Sequence, residues 1–261
     1  MVERKVNEEI LKRLKKTEEK EGVRILMAIE SGSRAWGFAS PNSDYDVRFI
    51  YSRDKDWYLA VDLEEKRDVI EYPIVDEIDL NGWDIRKALR LYWKSNPAFV
   101  EWIQSPMTYI NSGSFREEAL NILPIIYSVE KGIYHYRSMA KTNYRGYLRE
   151  ETVPLKKYFY VLRPLLAIKW LEKHGTAAPI EFSKVLELVK DSELLDAIHN
   201  LLEKKKVSEE KMLSPSIPVL NRFIESELSR LEEIKPSKSD REIEMTQLNK
   251  LFHLVLSERK G

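Results

Sequence analysis

The chain has 261 residues, 43% of them apolar and 33% charged, which is enough for one large globular domain or two smaller ones. Lys plus Arg and Asp plus Glu each number 43, so the formal net charge is zero, which argues against a basic-tail nucleic-acid binder but leaves room for a local basic groove. The absence of cysteine excludes disulfides, thiolate metal sites and a cysteine nucleophile.

Strand and helix signals alternate in the first half of the chain. Apolar residues at helical spacing predict a helix over 3–21, which Gly22 ends. Two β-type runs follow, over 23–30 and 44–51, with a small-residue turn and the loop signal of 40–43 between them. The other predicted elements before residue 107 are a charged loop over 52–68 with one short helical piece, an extended segment over 69–80 that Pro73 weakens, and helices over 84–94 and 98–104.

Helical periodicity dominates after about residue 114. The predicted helices are 114–139, 154–173, 180–190, 192–205, 216–232 and 239–258. The sequence therefore predicts an α+β fold, a small mixed sheet with flanking helices followed by an all-helical domain. We expect the first domain to cover 1–110 and the helical domain to cover 111–261 and close a cleft against it.

Localisation follows from what the sequence lacks. The charged N-terminal stretch has no apolar signal core, and no run of 18 apolar residues occurs in the sequence. We therefore expect a cytoplasmic protein without a membrane partner. The sequence leaves the oligomeric state open.

One stretch combines a Gly-Ser turn with two acidic residues. Gly32 and Ser33 follow the first strand where a new helix begins, and backbone N–H groups and a hydroxyl at such a place suit phosphate oxygens. Ten residues later Asp44 and Asp46 stand two apart on the second strand, so their side chains share one face. A divalent cation relieves the repulsion between two such carboxylates, which predicts a site for a hard metal ion.

A pair of metal ions calls for a third carboxylate. Two-metal phosphoryl transfer uses ions roughly 3.5–4 Å apart. The segment after Pro73 offers Asp76, Glu77 and Asp79, of which we predict Asp79, with Glu77 in reserve. The alternative is that Asp79 caps a helix that starts near Asn81. Arg48 lies on the face of Asp46, where pairing with a carboxylate is favoured over a substrate contact.

The order of these features resembles the DNA polymerase beta-type nucleotidyltransferase superfamily. The stretches ESGSRAWGFASPNSDYDVRFIY, DLNGWDIRKALRLYWKSNPAFVEWIQSPMTYI and KKYFYVLRPLLAIKWL are further similar to the subfamily named for its RNA-repair pathway, over roughly residues 25–175. The resemblance implies that 1–110 is a nucleotidyltransferase catalytic domain. It also implies that Gly32 and Ser33 hold nucleotide phosphates, and that Asp44, Asp46 and Asp79 hold two Mg2+ or Mn2+ ions.

Further candidate binding residues come from the turn and from the helical half. Arg34 follows the Gly-Ser turn and could reach a triphosphate, and Lys156, Tyr160 and Arg163 are spaced to share one helical face that could contact the nucleotide. A second polar cluster, with interleaved tyrosines, suits a single-stranded acceptor. Its members are His135, Ser138, Lys141, Asn143 and Arg145, of which Lys141, Asn143 and Arg145 are the predicted acceptor-binding residues. By contrast, we predict that the charge run over 203–206 faces solvent and that Trp36 and Phe38 belong to the core.

The resulting functional hypothesis is metal-dependent transfer of a nucleoside monophosphate from an NTP, expected to be ATP, to an acceptor hydroxyl. The subfamily resemblance implies an RNA 3′ end as acceptor. One alternative keeps the chemistry but transfers AMP to a protein side chain, as antitoxins of this superfamily do, or to a small molecule. Another is a non-catalytic RNA- or nucleotide-binding module.

Overall fold

The computed structural model of the protein describes residues 4–207, 213–233 and 241–258, and within these ranges it contains helices and short strands. The strands are β1 (Arg24–Glu30), β2 (Tyr45–Ser52), β3 (Val69–Glu71), β4 (Ile78–Asp84), β5 (Thr108–Asn111), β6 (Thr152–Pro154) and β7 (Leu213–Pro215). The α-helices are α1 (Arg4–Glu21), α2 (Gly32–Trp36), α3 (Lys55–Tyr58), α4 (Ile85–Trp93), α5 (Pro97–Gln104), α6 (Phe115–Ile126), α7 (Val129–Tyr147), α8 (Leu155–His174), α9 (Phe182–Leu186), α10 (Ser192–Val207), α11 (Pro218–Arg230) and α12 (Arg241–Ser257). Among the described helices, none has the length and apolar character needed to cross a membrane.

Five strands form a mixed sheet in the order β3-β4-β2-β1-β5. β2 and β4 run parallel, and the other neighbours run antiparallel. The parallel register sets Asp46 opposite Asp79, so the two predicted metal ligands lie on adjacent strands at the same level. The α+β fold class is therefore confirmed, and its sheet brings the distant acidic segments side by side.

Helices cover both faces of this sheet. On one face, Ile10 and Leu14 of α1 pack against a core that includes Val47, Phe49 and Leu80. On the other face, helices α4, α5, α6 and α12 build a second core with residues such as Ile29 and Ile50 of β1 and β2. Because side chains alternate along a strand, Asp46 and Asp79 point to this second face.

A third core is formed by helices α7 to α11, and it includes Phe38 from the segment between α2 and β2. Phe38 stacks on Phe159 of α8, with ring centroids 4.4 Å apart, so the segment after α2 is anchored in the helical part. Conversely, α6 and α12 pack with α4 and β1 on the sheet. The division at residue 110 stays a prediction, but the packing groups these two later helices with the sheet.

Several segments differ from the predictions, including the part predicted as all-helical, where β6 and β7 form a two-stranded sheet. The single extended segment over 69–80 is two strands, because the chain turns through Asp76 and Glu77, which both have positive φ. The predicted helix over 114–139 is broken after Ile126, and Ser128 caps the second part by accepting a hydrogen bond from the Lys131 N–H. The strand β5, which pairs with β1, was missed because its short polar sequence carries no alternating apolar signal. The predicted helix over 239–258 is described only from Arg241, and residues 239–240 lie outside the described ranges.

Candidate active site

One cavity joins the sheet to the helical part. Its lining includes the predicted Ser33, Asp44 and Asp46, together with Lys156 and Tyr160 of α8. The remaining lining residues are Trp36, Phe38 and Lys205. The segment from α2 to the start of β2 thus contributes a hydroxyl and two carboxylates, and helices α8 and α10 contribute two ammonium groups and a phenol.

Gly32 lies directly against the carboxylate of Asp46. The two segments are tied together where the Ser31 N–H donates to the Asp46 carbonyl oxygen at 2.8 Å. Gly32 has a φ of +59°, and a Cβ at this position would lie 2.0 Å from Asp46 Oδ2. Only glycine combines this backbone conformation with this close approach. The lack of a side chain at Gly32 therefore leaves the space that the Asp46 carboxylate occupies.

We expect Gly32→Ala to lower nucleotidyl transfer by about a hundred-fold, because the added methyl group displaces Asp46 and misplacement of about 1 Å has that effect on catalysis. Gly22→Ala is the matched control. Gly22 has a φ of +62°, and a Cβ there would meet no atom within 4 Å. Both variants carry the backbone strain, so equal activities in a steady-state assay would contradict the proposed contact.

Arg34 holds the loop before Asp44 and does not line the cavity. Its guanidinium donates to the carbonyl oxygens of Ser43 at 2.7 Å and Asp44 at 3.3 Å, and stacks over the Tyr45 ring at 3.8 Å. These contacts turn the side chain toward backbone oxygens. The observed contacts of Arg34 position the backbone of Asp44. Direct binding of a triphosphate by Arg34 stays a prediction.

The third predicted carboxylate is joined to the second by an arginine. Arg48 donates to Asp46 Oδ1 at 3.0 Å and to Asp79 Oδ2 at 2.6 Å, as well as to the Asp79 carbonyl oxygen. The alternative that Asp79 caps a helix is wrong, because Asp84 caps α4 by accepting from the Arg86 N–H. Glu77 lies exposed in the turn before β4 and does not share a strand face with Asp79.

The donor set at this place fits a hard cation in part. Asp44 and Asp46 present carboxylate oxygens to the cavity, and such oxygens are the ligands that Mg2+ and Mn2+ accept. No cluster of three or more His, Cys, Asp or Glu side chains suited to a metal occurs in the described ranges, and Asp79 pairs with Arg48 and does not line the cavity. The structure therefore gathers two of the three predicted ligands in the cavity.

Glu30, which sequence reasoning missed, is a buried carboxylate beneath the site. One oxygen accepts from the Asp46 N–H at 2.9 Å, and the other accepts from the Tyr109 hydroxyl. Burial is the main cause that raises the pKa of Glu30 to about 7, and the hydrogen bonds oppose that rise. Glu30 thus supports the start of β2 and does not line the cavity.

The raised pKa of Glu30 predicts a pH-dependent stability. The folded protein holds this proton more tightly than the unfolded chain, so the contribution is complete below about pH 4.5 and is lost as the pH rises through about 7. We expect Glu30→Gln to raise the free energy of unfolding at pH 8 by up to about 3 kcal/mol and to have little effect at pH 4. Urea unfolding in EDTA measures this, with the exposed Glu117→Gln as control. A gain that is the same at both pH values would contradict it.

Arg163 is not on the polar face of α8, and that prediction is wrong. It is 4% exposed, donates to Glu101 Oε1 at 2.7 Å and lies 4.5 Å from the Trp36 ring. The physical reason is that α8 is surrounded by other elements along most of its length, which leaves no continuous wet face. Arg163 therefore supports a wall of the cavity through Trp36.

The predicted acceptor residues on α7 do not reach the cavity lining. Lys141 pairs with Glu232 at 3.2 Å, and the Asn143 amide donates to the Met139 carbonyl oxygen at 2.9 Å. Arg145 is exposed on the same helix.

Exposed Tyr160 lies instead at the rim of the cavity. Lys157 Nζ lies 5.0 Å from the centre of its ring and 3.9 Å from the centre of the Tyr147 ring.

The charge run over 203–206 does not face solvent as a whole, and the prediction is wrong for Lys205. This side chain is 3% exposed and lines the cavity. The available signal was helical spacing, because Lys205 continues the apolar stripe of Leu194, Ile198 and Leu201 on α10. The run of charges obscured it.

A larger cavity, of about 560 Å³, lies between α1, the segment that follows β3, and strand β4. Its lining is mostly apolar, with cations of α1 such as Lys12 and Lys16 among the lining residues. Only one acidic side chain, Glu9, is among the residues that line it. The larger cavity is favoured by size alone, but it has no pair of acidic side chains. The cavity lined by Asp44 and Asp46 is therefore the candidate active site.

The chain matches a described protein family along nearly its whole length. Residues 6–254 match the model of a family described as "RNA repair pathway DNA polymerase beta family". A Bacillus subtilis (strain 168) protein called "Uncharacterized protein YcgL" is 44% identical over 255 residues, which are 97% of each chain. The crystal structure of a nucleotidyltransferase-like protein from Exiguobacterium sibiricum has a TM-score of 0.32 and 13% identity, over 97% of this chain and 81% of that one.

Proposed function

The chain belongs to the RNA repair pathway DNA polymerase beta family and is a nucleotidyltransferase of that type, and from this membership we propose that it transfers a nucleoside monophosphate to an RNA 3′ end. ATP is the proposed donor. One observation carries the proposal. The carboxylates of Asp44 and Asp46 share a cavity with the Ser33 hydroxyl and with ammonium groups from the helical part.

In the proposed reaction, the 3′ hydroxyl oxygen attacks the α-phosphorus, the bond from that phosphorus to the bridging oxygen breaks, and pyrophosphate leaves. Asp44 and Asp46 would hold Mg2+ or Mn2+, which when bound neutralises phosphate charge and lowers the pKa of the acceptor hydroxyl. Ser33 and the adjacent backbone of Gly32 would hold phosphate oxygens. Lys156 would bind the triphosphate from the opposite wall.

Asp79 is proposed as the third carboxylate, with Arg48 as the group that controls it. Arg48 balances the charges of Asp46 and Asp79. Asp79 would act on the acceptor side, where it favours loss of the hydroxyl proton, once Arg48 turns away from it. Until then Arg48 limits the repulsion between two carboxylates on adjacent strands.

The rim of the cavity supports a nucleic-acid acceptor. Tyr147 and Tyr160 are 45% and 39% exposed, and Lys157 lies between their rings. Exposed aromatic rings beside a cation suit stacked bases and a phosphate backbone of a single strand. The acceptor strand would therefore approach along α8 and the end of α7.

The test is incubation of the protein with α-labelled ATP, Mg2+ and a short single-stranded RNA. We expect label in the RNA, and no label when periodate has destroyed the terminal 3′ hydroxyl. Label on a protein side chain would contradict the RNA acceptor and support the alternative of AMP transfer to a protein. Nucleotide binding without any transfer would favour the non-catalytic alternative and overturn the proposal.

A further inference from the structure

The larger cavity, between α1, the segment that follows β3, and β4, takes no part in the proposed reaction, and we call it the α1 cavity. Its volume of about 560 Å³ lies within the range of roughly 300–1,000 Å³ that small-ligand sites occupy. Ile78 and Leu80 of β4 line it, while Asp79 between them points to the opposite face of the sheet. A ligand in the α1 cavity would therefore be separated by the sheet from the candidate active site.

The interior of the α1 cavity is apolar and offers a ligand few hydrogen-bonding partners. The Thr17 hydroxyl in its lining donates to the Arg13 carbonyl oxygen at 3.0 Å. The other hydroxyl of the lining, on Tyr72, donates to the Glu21 carboxylate at 2.9 Å. Both donors are thus used within the protein. Because a buried polar group is costly without a partner, an alkyl or aryl body fits this interior better than a nucleobase does.

A row of lysines forms one rim of the α1 cavity. Lys12, Lys16 and Lys20 follow one another at four-residue intervals, so they lie along one side of α1, and all three are exposed. Like charges at this spacing weaken a helix. The Lys20 ammonium also lies 4.9 Å from the centre of the Tyr72 ring, on the other wall. An anion bound at this rim would relieve the repulsion among the three ammonium groups.

The ion pairs around the α1 cavity leave one positive charge without compensation. These pairs are Arg13 with Glu9 at 2.8 Å, Arg13 with Asp76 at 2.7 Å, Lys12 with Glu9 at 3.6 Å, and Lys20 with Glu21 at 3.3 Å. Lys16 forms no ion pair with any residue that the structure describes. Four cations of the lining thus face three carboxylates, and the excess of one positive charge suits a ligand with one negative charge.

We propose that the α1 cavity is a second ligand site, which binds a small amphipathic anion with an alkyl or aryl body and one anionic group. The body would lie against Ile78 and Leu80, and the anionic group would bind at the rim. Lys16 is the middle residue of the lysine row and lacks a carboxylate partner in the described part of the chain, so it is the anchor of the anionic group. The inference does not rest on the proposed function, because it concerns the other face of the sheet.

The experiment titrates the full chain with anilinonaphthalene sulfonate, a fluorescent probe that has an aryl body and one anionic group. We expect saturable binding of a single probe molecule per chain. Decanoate should displace the probe, because it also combines an apolar body with one negative charge. Decanol has the same chain without the charge, so it should displace the probe only at about ten-fold higher concentration or more, since it lacks the charge-assisted hydrogen bond.

Two matched pairs of variants locate the bound probe. Lys16→Gln should weaken probe binding by about ten-fold, whereas Lys15→Gln removes an exposed charge that does not line the cavity and should leave binding unchanged. Val75→Asp adds a negative charge to the lining and should weaken binding by about ten-fold or more. Ile74→Asp makes the same change beside the lining and should stay within about two-fold. Val75 and Ile74 are 51% and 58% exposed, so both positions accept a polar side chain.

Each outcome of these titrations decides the inference. It is overturned if the unmodified protein shows no saturable probe binding, or if the two members of either matched pair bind the probe equally. Competition by ATP and Mg2+ would place the probe in the candidate active site and overturn it as well. Displacement by an acidic amphipathic peptide but not by decanoate would assign this surface to a protein partner instead. Because nucleotidyl transfer is not measured, failure of the proposed function would leave these results unaffected.

Discussion

Replacing Asp46 by Asn is expected to lower metal-dependent nucleotidyl transfer by about a thousand-fold. Asp46 lines the cavity with Asp44, and loss of the carboxylate proposed to hold the metal would remove several kcal/mol of transition-state stabilisation, at about 1.4 kcal/mol for each factor of ten. The measurement is the initial rate of label transfer from α-labelled ATP at saturating Mg2+. Titration with Mn2+ in the same assay follows the loss of metal affinity.

The matched control for this variant is Asp76→Asn. Asp76 belongs to the same part of the chain, is 77% exposed, pairs with Arg13 and does not line the cavity, so the same chemical change leaves the cavity lining intact. It should retain full activity. A urea unfolding curve checks that Asp46→Asn remains folded, because Asp46 also pairs with Arg48. If the Asp46→Asn variant were as active as the control, the metal assignment would be wrong.

Replacing Arg163 by Met is expected to lower the free energy of unfolding by roughly 3–5 kcal/mol, because it leaves the charge of Glu101 buried without its partner. The two side chains are only 5% and 7% exposed, so solvent cannot take over the role of the guanidinium. Trp36, which lines the cavity, also loses the cation beside its ring. Urea unfolding of the purified variant gives the loss of stability directly.

A second substitution tests the cause of that loss. Arg163→Met combined with Glu101→Leu removes both charges and should regain most of the stability, because a well-packed apolar pair commonly matches a buried ion pair. Arg222→Met is the surface control. Its pair with Glu193 is 64% and 69% exposed, so we expect a change of less than about 1 kcal/mol. Equal losses for Arg163→Met and Arg222→Met would show that burial does not matter here.

Patterns of a few neighbouring residues were enough to predict the elements that carry the proposed catalytic residues. The strand over 23–30, the Gly-Ser turn and the strand with Asp46 follow from alternation and turn chemistry, which act over a few residues. The same reasoning predicted Asp79, and the structure places Asp79 beside Asp46 through the register of two parallel strands. Patterns of a few neighbouring residues cannot predict that strand register, because Asp46 and Asp79 lie on strands that are separated in sequence by a third strand and a long loop.

The burial of charged residues in the helical part could not be predicted from the spacing of neighbouring residues. Arg163 was predicted on a wet face from spacing alone, yet it is buried against Glu101, because α8 is packed nearly all round. Lys205 was dismissed with its exposed neighbours, although helical spacing placed it on the apolar stripe of α10.

The sequence by itself determined the α+β class, the Gly-Ser turn and the acidic pair, since each depends on conformational preferences and side-chain periods of a few neighbouring residues. Only the tertiary structure decided that Lys205 lines the cavity, that Arg163 is buried outside the cavity lining, and that Arg48 pairs with Asp79. The physical reason is that the compensation of a buried charge depends on partners that are distant in sequence and meet only when the helices pack against the sheet.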